Sequence, residues 1–238
     1  MTHLLIVGAL EAEIDSLPDL LRPNLPADVT VTCATVGVGK VTAAEMTQRH
    51  LLLRKPDMIL FAGVAGALED DLMIGDVGVV EAAIDADLDV RSWRRELLRA
   101  EHPITRERLH RSDPGMVARA LEVKHALDGT PLRTFSAFAT SGSEFFDTEG
   151  KARFIRTILP DLEATLGSEK RRPNVIDMET SAFLQVASHN GIPALALRAV
   201  SDTTTGNAVE DFERFLARAS LSYAAVIQQV ALRGQTVS

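Results

Sequence analysis

Three carboxylates stand where a chain could put them to chemical use: Glu13, Glu179 and Asp202. Glu179 closes Asp177-Met178-Glu179 at the end of a short apolar run. Asp202 closes the run Leu195-Ala196-Leu197-Arg198-Ala199-Val200-Ser201-Asp202. Roughly a dozen helix-compatible residues and Gly191-Ile192-Pro193 separate the two runs, so the span 173–202 reads as strand, helix, strand, with an acid at each strand's C-terminal end. In an open α/β sheet that rim is where ligands bind. A carboxyl group there can give or take a proton, and a carboxylate can stabilise a developing cation. The plain alternative is that Glu179 opens a helix at its positive end and Asp202 caps the next one. Glu11 and Glu13 pose the same choice at another helix start. Two residues apart, they point in different directions, and only one can face a site.

Two glycine-bearing segments are expected at the same rim, Gly37-Val38-Gly39-Lys40 and Gly63-Val64-Ala65-Gly66-Ala67-Leu68, both read as turns after strands. The first matches neither the Walker nor the dinucleotide spacing and reads as a backbone wall beside a ligand. Thr140-Ser141-Gly142-Ser143-Glu144-Phe145-Phe146-Asp147 is a polar loop carrying two large rings. One ring can stack on a planar heterocycle, or both can pack beneath the loop.

The elements that must position these residues follow from apolar periodicity. Strands are expected at 4–9, 29–36, 56–62, 75–82 and 132–139, in the short run that Asp177-Met178-Glu179 closes, and at 195–202. Helices are expected at 11–21, with Pro18 kinking or shortening it, and at 41–54, 116–127, 151–159 and 209–232, with 160–173 a loop. Weakly charged strands alternating with helices imply an α/β sheet covered on both faces, and residues 1–238 read as a single domain.

The 238 residues carry a net charge of −8, which argues against nucleic-acid or anionic-membrane partners. No apolar run is long enough to cross a bilayer, and the start lacks a basic leader, so a cytoplasmic protein is expected. The one cysteine, Cys33, reads as core filler, and the six histidines show no ligand spacing. Neither a metal nor another cofactor is expected. Asp85, Asp87 and Asp89 lead into an arginine-rich stretch from Arg91 to Arg111 containing Trp93, the only tryptophan. It reads either as a grip for an anionic group or as a solvated or subunit-facing surface.

Six motifs in order carry a family resemblance: Gly8-Ala9-Leu10-Glu11-Ala12-Glu13, Val36-Gly37-Val38-Gly39-Lys40-Val41, Ala62-Gly63-Val64-Ala65-Gly66, Ser141-Gly142-Ser143-Glu144-Phe145, Asp177-Met178-Glu179-Thr180-Ser181-Ala182 and Arg198-Ala199-Val200-Ser201-Asp202. Together they resemble the purine nucleoside phosphorylase and nucleosidase superfamily, and within it the 5′-methylthioadenosine/S-adenosylhomocysteine nucleosidases. The resemblance implies a nucleoside phosphorylase-like fold, with a twisted mixed central β-sheet flanked by helices on both sides, and a homodimer. It implies hydrolysis of the N-glycosidic bond of a 5′-modified adenosine, a small purine nucleoside, with release of adenine and a place in purine salvage. Asp202, oriented by Ser201, would protonate the base at N7. Glu179 would stabilise the cationic sugar and hold its hydroxyls, and Glu13 would activate water. Met178 would lie against the sugar and Phe145 against the purine, with Phe146 also counted among the substrate-binding residues. Arg198 would order the site, while Leu10, Val38, Gly63, Val64 and Gly66 would line it.

The rim loops supply carboxylate and glycine but no arginine, which favours water over phosphate as the nucleophile. Val64 stands where the nucleosidases usually place a serine. The segment after Asp87 departs from the aromatic and glycine pattern that in this family helps form the 5′-alkylthio pocket across a dimer interface, which places the choice of 5′ group between Asp85 and Arg111. Alternatives are a futalosine-type nucleoside hydrolase, a phosphate-dependent purine nucleoside phosphorylase, and a nucleoside-binding or storage relative without turnover.

Overall fold

The computed structural model describes residues 1–167, 171–216 and 218–232. The expected loop therefore lies partly outside the described residues, at 168–170, as do position 217 of the last expected helix and the chain end from 233.

The chain opens with β1 (Thr2–Gly8), then two short helices, α1 (Glu11–Ile14) and α2 (Leu17–Leu21), in place of one. Pro18 sits in the first turn of α2, where its missing N–H costs nothing. β2 (Val29–Thr35), α3 (Lys40–Leu53), β3 (Met58–Ala67) and β4 (Val77–Asp85) follow. A short strand, β5 (His110–Arg111), precedes α4 (Pro114–Leu121) and β6 (Thr134–Ser141). After β6 come α5 (Thr148–Thr157), α6 (Leu159–Leu166), β7 (Val175–Asp177), α7 (Thr180–His189) and β8 (Ala194–Asp202), and then α8 (Ala208–Leu216) and α9 (Ala219–Leu232).

Among the described residues, the strands form one mixed sheet. β1 lies parallel between β2 and β3, and β3 runs parallel to β8. β8 then pairs antiparallel with β4, β4 parallel with β6, and β6 parallel with β7, which returns antiparallel onto the far end of β3. Strands β3, β8, β4, β6 and β7 thereby close a ring, with β1 and β2 extending it as a wing. The closure corrects two expectations. The segment 63–67 is not a turn but the second half of β3, whose small residues let β7 and β8 approach from either side. A register shift between Ala65 and Gly66 adds a local bend. The acids do not share one C-terminal rim either, because β7 runs opposite to β3 and β8.

Alternation along β1 sends Leu4 and Ile6 to one layer and Leu5 and Val7 to the other. The first layer packs on α2, α4 and α9 through Leu17, Leu21, Met116, Tyr223 and Ile227. The second packs on α3 and α7 through Ala43, Leu51, Phe183 and Leu184. A third cluster joins Phe138 and Ile176 to Phe154, Leu159 and Leu162 of α5 and α6. α6 occupies ground expected to be loop. Pro160 starts it harmlessly, and Leu159, Leu162 and Leu166 give it an apolar face. The last expected helix is two, α8 and α9, and the helix expected to reach residue 127 ends at Leu121. Cys33 is half-buried against the first layer, and burial pushes its thiol up to about 11. Among the described residues, no single helix is long and apolar enough to cross a membrane, and no group of three or more His, Cys, Asp or Glu could hold a metal.

Candidate active site

A cavity of about 620 Å³, mouth included, opens against the second half of β3. Val64, Ala65 and Gly66 form its floor, Ala9, Leu10 and Glu13 one side, and Val38 part of the rim. Ile176, Asp177, Met178 and Glu179 enter from β7, and Ser201 and Asp202 from β8. Glu144, Phe145, Phe146 and Phe212 cover it.

Glu13 is buried, and both carboxylate oxygens are engaged. Oε2 accepts the Leu10 N–H at 2.9 Å and Oε1 the Val64 N–H at 3.0 Å. Burial pushes its carboxyl up, while Arg198 and the backbone donors pull it down. Glu11 lies outside the cavity lining, so Glu13 is the residue of the pair that faces the site. The Tyr223 hydroxyl donates to the Glu13 carbonyl and ties α9 to the same corner.

Glu179 does not cap α7. Asp177 satisfies that helix start, accepting the N–H groups of Glu179 and Thr180, each at 3.2 Å, on Oδ1. Freed of that task, Glu179 accepts the Gly39 N–H at 2.8 Å, which uses the first glycine segment as a backbone clamp. Burial pushes the Glu179 carboxyl up to about 7, with Arg198 opposing the rise and Asp177 adding to it. Nearby, the Lys40 ammonium binds Asp85 and Asp87, and so pins the start of α3 to the end of β4.

Asp202 is not a cap either. Its Oδ1 accepts from the Ser201 hydroxyl at 2.6 Å, and Ser201 also reaches the Ala65 carbonyl at 3.3 Å. Its Oδ2 takes the ammonium of Lys151, which also donates to the Thr203 carbonyl.

Two expected site residues, Arg198 and Gly63, lie behind the cavity wall. Arg198 is wholly buried, its Nε 2.8 Å from Asp177 Oδ2 and donating to Thr180 Oγ1 at 2.8 Å, with its guanidinium 4.1 Å from the Phe61 ring centre. Its Nη2 lies 3.5 Å from Glu179 Oε2. Gly63 is the gap through which Arg198 and Glu13 approach. A Cβ there would lie 2.3 Å from Arg198 Nη1 and 2.8 Å from Glu13 Oε1. The two rings also divide. Phe145 stays half-exposed over the cavity, edge-on to Phe212 at 5.3 Å, whereas Phe146 lines the cavity and packs on Phe154 at 5.3 Å.

None of the arginines from Arg91 to Arg111 lines the cavity. Arg91 and Arg99 pair with Asp89 and Asp161, and Arg106 and Arg108 with buried Glu101. Within the single chain these pairs form a surface network outside the cavity. Lys151 and Phe212, by contrast, had no sequence signal as site residues. Asp147, whose carboxylate accepts the Gly150 N–H at 2.7 Å, does mark the helix start that carries Lys151 inward.

The sequence profile of the phosphorylase superfamily matches residues 20–231. The chain belongs to the phosphorylase superfamily. Among its relatives in that superfamily, the 5′-methylthioadenosine/S-adenosylhomocysteine nucleosidase of Anoxybacillus flavithermus is 25% identical over 239 residues, covering 95% of this chain and 96% of the relative. The phosphorylase-superfamily fold is also that of the solved futalosine hydrolase of Helicobacter pylori, with a TM-score of 0.78 at 20% identity over 96% of this chain and 97% of the other. The Campylobacter jejuni 5′-methylthioadenosine/S-adenosyl homocysteine nucleosidase gives a TM-score of 0.77 at 24% identity, covering 97% and 98%.

Proposed function

We propose that the protein hydrolyses the N-glycosidic bond of 5′-modified adenosines, such as 5′-methylthioadenosine, S-adenosylhomocysteine or a related nucleoside, and releases adenine. The observation that carries this reading is the convergence of Glu13, Glu179 and Asp202, from three distant parts of the chain, on one cavity with apolar and aromatic walls. Its curated relatives with this activity align along nearly the whole chain.

In this reading the purine lies between the Phe145–Phe146 cover and Ile176, with its N7 towards Asp202. Adenine leaves poorly as an anion, so Asp202, held by Ser201, protonates N7 as the bond breaks. Positive charge builds at C1′ of the sugar. Glu179, clamped by Gly39, faces that charge and accepts from the ribose hydroxyls, with Met178 against the ring. Glu13 takes the proton of the attacking water. The two backbone donors hold its carboxylate in one orientation, and its burial raises its basicity.

Water is favoured over phosphate by the lining, in which, among the described residues, Glu13, Glu144, Asp177, Glu179 and Asp202 appear without lysine or arginine. The nearest guanidinium, Arg198, is sealed behind the wall and committed to Asp177. Lys151 is likewise committed to Asp202, so a phosphate dianion entering would meet carboxyl groups whose cations are already engaged. The homodimer, the cytoplasmic location and the purine-salvage role implied by the family resemblance belong to the same proposal.

The test is a panel of nucleosides, namely 5′-methylthioadenosine, S-adenosylhomocysteine, adenosine and futalosine, with the freed base identified. Adenine from the first two supports the reading. Hypoxanthine from futalosine alone would move the assignment to the futalosine class, and binding of all four without base release would make the protein a binding relative.

A further inference from the structure

Lys151 stands out as a buried ionic group the reaction has not yet used. Its side chain is 1% exposed, and its ammonium rests on Asp202 Oδ2 and the Thr203 carbonyl. It is the fourth residue of α5, near the helix end where a cation is disfavoured. Taking an ammonium and a carboxylate together out of water is also costly. Two local devices nevertheless hold it there. Asp147 caps α5, and the Thr148 hydroxyl donates to the Gly206 carbonyl at 2.7 Å, which fastens the helix start to the loop that follows Asp202.

We propose that Lys151 acts through Asp202 as a positioning residue that aims the carboxyl group at the leaving base and shares with it the proton the base takes. The inference rests on the glycosidic hydrolysis proposed above. Ser201 holds one oxygen of Asp202 and Lys151 the other, so rotation of the carboxyl is blocked from both sides. The pair holds one transferable proton, whichever partner carries it. As the bond between C1′ and the purine nitrogen breaks, its electron pair stays with the purine and this proton passes to N7. A carboxylate and a neutral amine remain. Water gives its oxygen to C1′ and its proton to Glu13, and exchange with solvent returns a proton to the pair. The other flank of Lys151 borders an open hollow lined by Glu69, Asp70, Asp71 and Arg172, which offers a route for that return.

The test compares two leaving groups on wild type, Lys151→Met and Lys151→Arg. Adenine from 5′-methylthioadenosine needs an acid, whereas p-nitrophenolate from p-nitrophenyl β-ribofuranoside does not. Lys151→Met is expected to lose on the order of 100-fold or more in kcat for adenine release, yet no more than about threefold for p-nitrophenolate release. Arginine keeps the charge but cannot give up a proton. Lys151→Arg is therefore expected to keep a KM for 5′-methylthioadenosine close to wild type without restoring kcat. Equal losses on both substrates in Lys151→Met would mean a structural role only and overturn the proposal. Full recovery of kcat by Lys151→Arg would overturn proton sharing. If wild type cleaves neither substrate, the assigned activity fails instead.

Discussion

Asp202 and Glu179 both end apolar runs, yet neither spends its carboxylate on a helix start, because Asp177 takes that task for α7 and Lys151 engages Asp202. Asp202→Asn keeps the size and the Ser201 contact but removes the acid. Adenine release is expected to fall by roughly 100-fold or more with nucleoside binding retained, as rates and calorimetry would show. Near-normal turnover would remove Asp202 from the acid role. Glu179 makes a prediction about stability. Its carboxyl is raised to about 7 by burial, so the folded protein binds a proton that the unfolded chain releases near its ordinary carboxylate value. Stability is then greatest below that ordinary value and is lost as pH rises towards 7. Glu13, pushed the same way by burial, adds to the slope. The thermal midpoint should fall between about pH 5 and pH 8, and Glu179→Gln should flatten that fall, by an amount on the order of 1–3 kcal/mol. An unchanged slope in the variant would contradict the burial argument. At this scale the sequence supplied the acids but not their partners. Lys151, 51 residues from Asp202 in sequence, is one basic residue among many until the Asp147 cap turns it inward.

β3 is the element on which the site depends. It pairs with β1, β7 and β8, offers Val64 N–H to Glu13, and leaves at Gly63 the space that Arg198 and Glu13 fill. Gly63→Ala is expected to displace the buried guanidinium and the carboxylate together. It should lower kcat by at least about tenfold and cost roughly 1–3 kcal/mol in denaturant midpoint, as overpacking does. A variant with unchanged rate would show that the Arg198 position is immaterial. The cover is a second element-scale test. Phe212 of α8 meets Phe145 edge-on above the cavity, so Phe212→Ala should raise KM several-fold, in keeping with the roughly 0.5–1.5 kcal/mol of an aromatic pair, with kcat little changed. Periodicity located most strands, but the glycines in β3 read as a turn because ring closure by β7 is a non-local event. Pro160 likewise hid α6, since a proline in a first turn and a proline in a loop look alike in sequence.

Across the whole molecule, the alternating pattern predicted a sheet covered on both faces, and the mixed sheet with flanking helices carries that out. Strand direction was the part that periodicity left unwritten. Reversal of β4, β6 and β7 relative to β3 closes the ring and brings Glu179 against the floor from the opposite direction to Asp202. The arginine-rich segment lies outside the cavity, and the acidic lining is what remains to select the nucleophile. The central claim is therefore best tested by the fate of the sugar. Purified protein is given 5′-methylthioadenosine in phosphate-free buffer and again with added phosphate, and the sugar product is identified in each. The account predicts free 5-methylthioribose and adenine at the same rate in both. A sugar 1-phosphate formed only when phosphate is present would contradict it.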